Sequence, residues 1–296
     1  MKKNKRLSVE KHQNKVGFLL LVPYMIGLIY FFIIPMIKTV YFSFNDVSIR
    51  RGGGLEYVAK GLENYKYILL KDANFVKTVG DSLSKLLYTV PIILIFSLFV
   101  AILLNQKFKG RMIMRGLFFI PVIIASGVII VIINRDIFVN ETVDGASQIF
   151  QNGAIEDILS RTGLPSQLID IVSTASSQIF DLTWKSGIQI LLFISALQGI
   201  PSSYYEAASI EGSGVWDTFW KITFPVISPT SLLVAIYTMI DSFTAENNGV
   251  MTSILNRFDN IQYGYASASA IVYFVVIIAI IGAVFGLVAK NIFYNQ

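Results

Sequence analysis

The sequence predicts an all-α integral membrane protein with six transmembrane helices. Three observations lead there. Apolar residues make up 54% of the 296-residue chain and charged residues only 15%, against about 25% charged in a soluble domain. The apolar residues are gathered into runs near the length, about 20 helical residues, that a bilayer core requires. The basic residues cluster beside those runs, whereas a nucleic-acid binder would carry a basic face with aromatic or helical readers.

Taken in order, residues 1–15 form a basic tail with Lys2, Lys3, Lys5, Arg6, Lys11 and Lys15, and with the single histidine, His12. Residues 16–37 are free of charge and form the first span. This run exceeds the 7–15 apolar residues of a signal peptide, and no small-x-small cleavage site follows, so the span is expected to stay attached. Residues 38–77 form an extracellular segment. In it Gly52–Gly54 mark a flexible turn, and Gly61-Leu62-Glu63-Asn64-Tyr65 precede a short amphipathic helix. Spans two and three lie at about 86–104 and 116–133, with Pro91 and Pro121 near their starts.

An insert at 134–180 separates spans three and four. It is longer than an ordinary connection and so is expected to have structure of its own. Gly153–Arg161 and Pro165–Ser173 both show helical apolar spacing. A surface cap and a docking surface for an extracellular partner both fit it. Span four, 182–200, opens with Trp184 and Lys185, residue types that reach the membrane interface from helix ends. Span five is 222–242 and span six 263–289, followed by a tail at 291–296.

Orientation follows the Lys/Arg bias of the short loops. The tail and the segment holding Lys107, Lys109, Arg111 and Arg115 are basic, while the 134–180 insert is acid-rich. Both termini are therefore expected in the cytoplasm of a multi-pass cell-membrane protein. Residues 38–85 carry more basic than acidic residues and pull the other way, but less densely than the tail. The absence of cysteine removes disulfides, thiolate metal sites and a Cys nucleophile, and no metal site is expected.

The cytoplasmic loop 201–225 is the most informative stretch. Pro201 stops span four. Ser203-x-x-Glu206 reads as a capping box that starts a helix. Ala207 and Ala208 keep one face small, Ile210 supplies an apolar anchor, and Gly212-Ser213-Gly214 break the helix. A second helix, 215–222, then places Val215, Phe219 and Ile222 on one side and Trp216 and Trp220 on an adjacent one. Pro225 and Pro229 fall where span five begins, a position that tolerates a missing N–H.

This loop resembles the EAA motif of ABC importer permeases through Glu206, Ala207, Ala208, Gly212, Ile222, Phe224 and Pro225, with Glu211, Ser213 and Phe224 departing from the usual Asp, Ala and Leu. Val22-Pro23-Tyr24, Gly61–Tyr65, Phe119-Ile120-Pro121-Val122, Ala196–Pro201 and Tyr263–Ala268 are similar to the sugar-importer branch, with its upstream permeases of maltose, glycerol-phosphate and oligosaccharide importers. The resemblance implies a type I permease fold, with residues 78–290 as its transmembrane domain and a coupling helix in the loop. It also implies a carbohydrate cargo, an oligosaccharide or a related sugar.

The implied partners are a second homologous permease in a heterodimer, two copies of a cytoplasmic ABC ATPase, and an extracellular solute-binding lipoprotein or periplasmic binding protein, in contact with membrane lipid and without nucleic acid. Glu206, Ala207, Ala208, Ile210, Gly212, Val215 and Phe219 would couple to the ATPase. No G-x-x-x-x-G-K-[ST] occurs, so no cofactor is expected here. ATP and Mg would be bound by the partner ATPase, and this chain is not an enzyme.

Polar groups inside spans are candidates for the substrate pathway: Ser97, Ser126, Gln189, Ser195, Tyr237, Thr238, Asp241 and Ser242. Trp184, Tyr237 and Phe243 add the aromatic faces that sugars favour. The sharpest set is Gln189, Tyr237, Asp241, Ser242 and Phe243, with helix–helix packing as the alternative role of each. Ala279, Gly282, Ala283 and Gly286 make a small-residue face on span six, suited to packing within the subunit or against the second permease. An ion-coupled secondary transporter would require intramembrane ionisable relays and internal repeats, and a membrane enzyme would require clustered His, Cys or acidic residues; the sequence offers neither. A receptor or scaffold would carry a sensory domain, and nothing resembling one is attached.

Overall fold

The computed structural model describes residues 17–50, 53–106, 108–125, 165–245 and 248–291. Both tails, the end of span three with Ser126, and most of the 134–180 insert, Gly153–Arg161 included, lie outside them. The elements are α1 (Gly17–Ser43), the strands β1 (Asn45–Ile49) and β2 (Leu55–Ala59), α2 (Glu63–Lys66), α3 (Ala73–Asn105), α4 (Arg111–Ala125), α5 (Ser166–Lys185), α6 (Gly187–Gln198), α7 (Ser202–Ile210), α8 (Val215–Thr218), α9 (Phe224–Thr244), α10 (Gly249–Asp259) and α11 (Tyr263–Val288). Among the described residues four helical stretches are long and apolar enough to cross a membrane: α1, α3, the run that contains α9, and α11.

The chain falls into two compact units. The first combines the chain up to Ser84 with Phe243–Ile280; the second combines Lys85–Ser242 with the chain from Ile281.

In the first unit the 38–77 segment is not all helix. It carries an antiparallel hairpin in which Val47 pairs with Tyr57 and Ile49 with Leu55. The alternation of Val47 and Ile49 with polar neighbours, then of Leu55 and Tyr57, is a strand signal, and Gly53 and Gly54 take positive φ at the turn, where a side chain would be strained. The hairpin root is held by Asn64, which is buried and donates through Nδ2 to the carbonyls of Ser43 (2.9 Å) and Asn45 (3.0 Å). The hydroxyls of Tyr65 and Ser43 lie 2.6 Å apart. The Gly61–Tyr65 stretch therefore earns its residues by stapling the end of α1 to the hairpin. Phe75, Ile68, Val250 and Ile254 are buried in the same unit, and Asn248 caps α10 by accepting from the Val250 amide at 2.9 Å.

Arg257 on α10 pairs with Asp72 at the head of α3, lies over the Phe75 ring and donates to Ser269 Oγ. Burial pushes the Asp72 carboxyl up, but the Phe75 amide and the Arg257 guanidinium outweigh it and hold the group below its ordinary range.

In the second unit a core seam joins α3, α6 and α9: Ala101, Leu104, Ile190, Phe193, Leu197 and Val234 are buried together. The expected 182–200 span is not one helix. It breaks at Ser186, whose φ of −97° and ψ of 2° leave helical geometry, dividing α5 from the 12-residue α6. At 1.5 Å per residue α6 covers only about 18 Å of a core roughly 30 Å thick. The helical spacing of 165–173 is realised as the start of α5.

Prolines shape two of the spans. A π turn over Ile29–Ile33 precedes Pro35, and another over Phe219–Thr223 precedes Pro225. Proline lacks the N–H for the previous turn and crowds its carbonyl, and a widened turn relieves both. Pro225 and Pro229 thus lie within a helical run entered from α8, not at a fresh helix start.

Candidate functional site

The loop expected between spans four and five is a closed helix–turn–helix. α7 begins at Ser202, directly after Pro201, whose φ of −58° and ψ of 137° are extended. Ser203 therefore lies inside the first turn, and no side chain caps α7. The expected Ser203–Glu206 capping box is not formed, because a residue already in helical geometry cannot hold the cap position.

The other end matches expectation. Gly212 has φ +73°; its amide bonds to the Ser209 carbonyl at 3.1 Å and the Ser213 amide to the Ala208 carbonyl at 2.9 Å. That pair of bonds is a Schellman closure, which needs a left-handed residue at the Gly212 position. Thr218 Oγ1 then donates to the Gly214 carbonyl at 2.9 Å and reaches Ser213 Oγ at 3.2 Å. The Tyr205 and Thr223 hydroxyls, 3.2 Å apart, tie α7 to the turn that enters α9.

This framework displays apolar surface. Ala208 is buried and anchors α7, while Glu206 and Ala207 are exposed. Ile210 is 88% exposed and Val215 90%. Such side chains on a short, hydrogen-bonded turn form a surface that gains free energy when a partner covers it. Trp216 and Trp220 stack edge to face, with centroids 5.7 Å apart, and Trp220 continues to Phe224 at 5.2 Å. Asp217 and Lys221 pair at 2.8 Å on the exposed side.

Two open grooves flank the element. One of about 470 Å³ is lined by Ala207, Ala208, Glu211, Lys221, Ile222 and Pro225 among others. The second, of about 440 Å³, includes Ile102, Gln106, Leu197, Val215 and Phe219. Phe219 is half-buried there, so of the seven expected coupling residues it and Ala208 face inward, while Glu206, Ala207, Ile210, Gly212 and Val215 are on the surface.

The pathway candidates are more scattered. Gln189 is fully buried and donates through Nε2 to Thr238 Oγ1 at 3.3 Å, joining α6 to α9. Its Oε1 has no hydrogen-bond partner among the described residues. Tyr237 and Ser242 are half-buried and Asp241 is exposed. Phe243 is buried with its ring edge-on to Tyr273 at 5.7 Å, and the Tyr273 hydroxyl donates to the Phe243 carbonyl at 3.2 Å. Its aromatic face is thus used in packing. Gly282 and Gly286 on α11 have nothing within 4 Å of a Cβ built on them, so among the described residues the small-residue face is open. Sequence reasoning passed over Arg115, Asn64 and Arg257 as side chains with a role, since the partners of each come from distant parts of the chain.

Residues 182–295 match the family described as binding-protein-dependent transport system inner membrane component. The chain is 30% identical to the probable ABC transporter permease protein YesP of Bacillus subtilis, over 94% of this chain and 90% of the relative. It is also 30% identical to the multiple sugar-binding transport system permease protein MsmF of Streptococcus mutans, over 92% of this chain and 94% of the relative. A crystal structure of a bacterial ABC transporter involved in import of the acidic polysaccharide alginate shares the fold, with a TM-score of 0.63 at 18% identity over 96% of this chain and 99% of that one. So does the alginate transporter in complex with its alginate pentasaccharide-bound periplasmic protein, with a TM-score of 0.63 at 17% identity over 95% and 96%.

Proposed function

This chain belongs to the family of binding-protein-dependent ABC transport permeases, a multi-pass protein of the cell membrane, and on that premise we propose that it forms the passage for a carbohydrate, an oligosaccharide or a related sugar, in an importer powered by a separate ATPase. The sugar class is supported by its likeness to the multiple sugar-binding permease and to the alginate importers. The rest of the assembly in this reading is a second permease, two ATPase subunits below, and a solute-binding protein outside. The open Gly282–Gly286 face suits the second permease, because small residues let helices approach closely. Both termini lie in the cytoplasm in this reading.

The observation that carries the ATPase docking is the hydrogen-bonded helix–turn–helix with Glu206, Ala207, Ile210 and Val215 displayed on its surface. ATP closure of the ATPase dimer would displace the docked element, and the attached spans would follow. A ligand-driven change of this kind requires contacts that differ between the two states, and the exposed side chains of α7 and the following turn are where those contacts would form. Gln189, Tyr237, Asp241, Ser242 and Phe243 are the pathway residues of this reading, with Gln189 the strongest because a polar oxygen is left without a partner in a buried site.

The test combines Glu206→Lys with Gly212→Pro in the assembled complex. The expected outcome is loss of substrate-stimulated ATP hydrolysis with the membrane subunits still assembled. Full retention of that stimulation would overturn the docking role of the loop. Uptake of labelled oligosaccharides into proteoliposomes, compared with polyols and glycerol phosphates, tests the cargo class.

A further inference from the structure

Arg115, near the start of α4, touches the ends of two other helices. Its Nε and Nη2 donate to the carbonyl oxygen of Leu104, at 3.3 and 2.9 Å. Leu104 is buried in the last turn of α3, where carbonyls have no N–H of their own helix to accept from. The side-chain amide of Gln198 faces the same guanidinium. Oriented with its oxygen toward Arg115, the orientation that avoids opposing donor with donor, it accepts from Nη1 and Nη2 at 3.0 Å each. Gln198 is the last residue of α6, and only Gly199, Ile200 and Pro201 separate it from α7.

We propose that Arg115 is a positioning residue for energy coupling: it clasps the ends of α3, α4 and α6 so that a displacement of α7 moves the three helix ends as one body. This rests on the reading that α7 is driven by an ATPase. Beneath the clasp, α3 and α6 share an apolar seam of Ala101, Leu104, Phe193 and Leu197. Apolar contact holds the helices together but is non-directional and resists sliding weakly. Charge-assisted bonds from a planar, five-donor guanidinium fix register as well as distance.

An ordinary helix cap makes a different prediction. A cation near a helix C-terminus stabilises that end whatever its shape, so Lys would serve. A clasp needs the fork, because the ammonium of Lys has one nitrogen and cannot converge two N–H donors from separate nitrogens on the Gln198 oxygen while holding the Leu104 carbonyl.

The experiment uses the complete importer in proteoliposomes with its binding protein and measures solute moved per ATP hydrolysed. Arg115→Lys, Arg115→Gln and Gln198→Ala are each expected to lower that ratio roughly fivefold or more, the lower end of typical coupling between sites, with ATP hydrolysis persisting. Arg115→Gln combined with Gln198→Ala should be no worse than Arg115→Gln alone, since that change already removes the link to Gln198. Gln198 is exposed, so its variant keeps the test open should Arg115→Gln assemble poorly. An unchanged ratio in Gln198→Ala, or full rescue by Lys, would overturn the clasp and leave a helix cap. A wild-type importer that hydrolyses no ATP in response to loaded binding protein would instead sink the parent reading, and the clasp with it.

Discussion

A Cβ on Gly264 would overlap the carbonyl oxygen of Asn45 and press on the Nδ2 of Asn64. The start of α11 therefore meets the hairpin root backbone to backbone, at the point where Asn64 already satisfies the Ser43 and Asn45 carbonyls. Two stretches that look unrelated in the chain, Gly61–Tyr65 and Tyr263–Ala268, are two sides of one junction.

Gly264→Ala is expected to destabilise the protein by at least the roughly 1–3 kcal/mol of an overpacked core, because the obstacle is backbone and cannot rotate away. Gly282→Ala, with open space around it, is the control and should be near neutral. Thermal unfolding in detergent compares the two, and equal midpoints would refute the junction.

Asn64→Ala removes the donor from two buried carbonyls. Each orphaned group costs about 1–3 kcal/mol. Asn64→Asp should be worse, since a carboxylate would face two carbonyl oxygens without a proton to offer. The expected order of stability is wild type, then Ala, then Asp, read from the same unfolding curves at neutral pH.

The Asp72–Arg257 pair gives a pH dependence whose sign follows from the carboxyl. The folded protein holds Asp72 below its ordinary value of 3.8, so the unfolded state takes up the proton more readily. The stabilisation is fully present above 3.8 and fades as pH falls through the lower folded value. The gap in unfolding midpoint between wild type and Asp72→Asn should stay level from neutral pH down to mild acid and close only below that point. Arg257→Met strands the carboxylate, and because both side chains keep some water contact the cost should fall below the roughly 3–5 kcal/mol of a fully buried pair. A gap that closes near neutral pH would show that another group controls it.

Gly212 should tolerate substitution in the order Asn, Ala, Val, because left-handed backbone costs ordinary residues roughly 1–2 kcal/mol and β-branched ones more. ATPase stimulation in the assembled complex should fall in the same order while membrane insertion stays intact. Equal stimulation across the series would mean that the Schellman closure does not matter to coupling.

Trp216 is 72% exposed and Trp220 47%. With Trp184 replaced by Phe, the two report on the coupling element alone. Addition of the ATPase subunit should reduce acrylamide quenching of their fluorescence; unchanged quenching would place the docking surface elsewhere.

The legible parts of the chain were those governed by local rules. Residues 17–37, 86–104 and 263–288 of the uncharged runs lie within α1, α3 and α11, and the break at Gly212 was readable because the position requires a residue without a Cβ. The cap position of α7 is Pro201, two residues before the expected Ser203, because Pro201 and Ser202 both permit a start and only the geometry chooses. The hairpin in 38–77 had a period-two signal, overshadowed by the helical character of everything around it. The division of 182–200 at Ser186 has a local marker, the Ser186-Gly187 pair after Lys185, which the apolar run that follows it overshadows.

By itself the sequence determined the solvent and the modular plan: an apolar majority in span-length runs can be stable only in lipid, and a helix–turn–helix rich in small and apolar residues between two spans is set by nearest-neighbour preferences. Tertiary structure alone decided which polar side chains hold the molecule together. Asp72 meets Arg257, Asn64 meets Asn45, and Arg115 meets Gln198 across long stretches of chain. Such pairings cost chain entropy to close and depend on where whole helices come to rest, so no local pattern announces them.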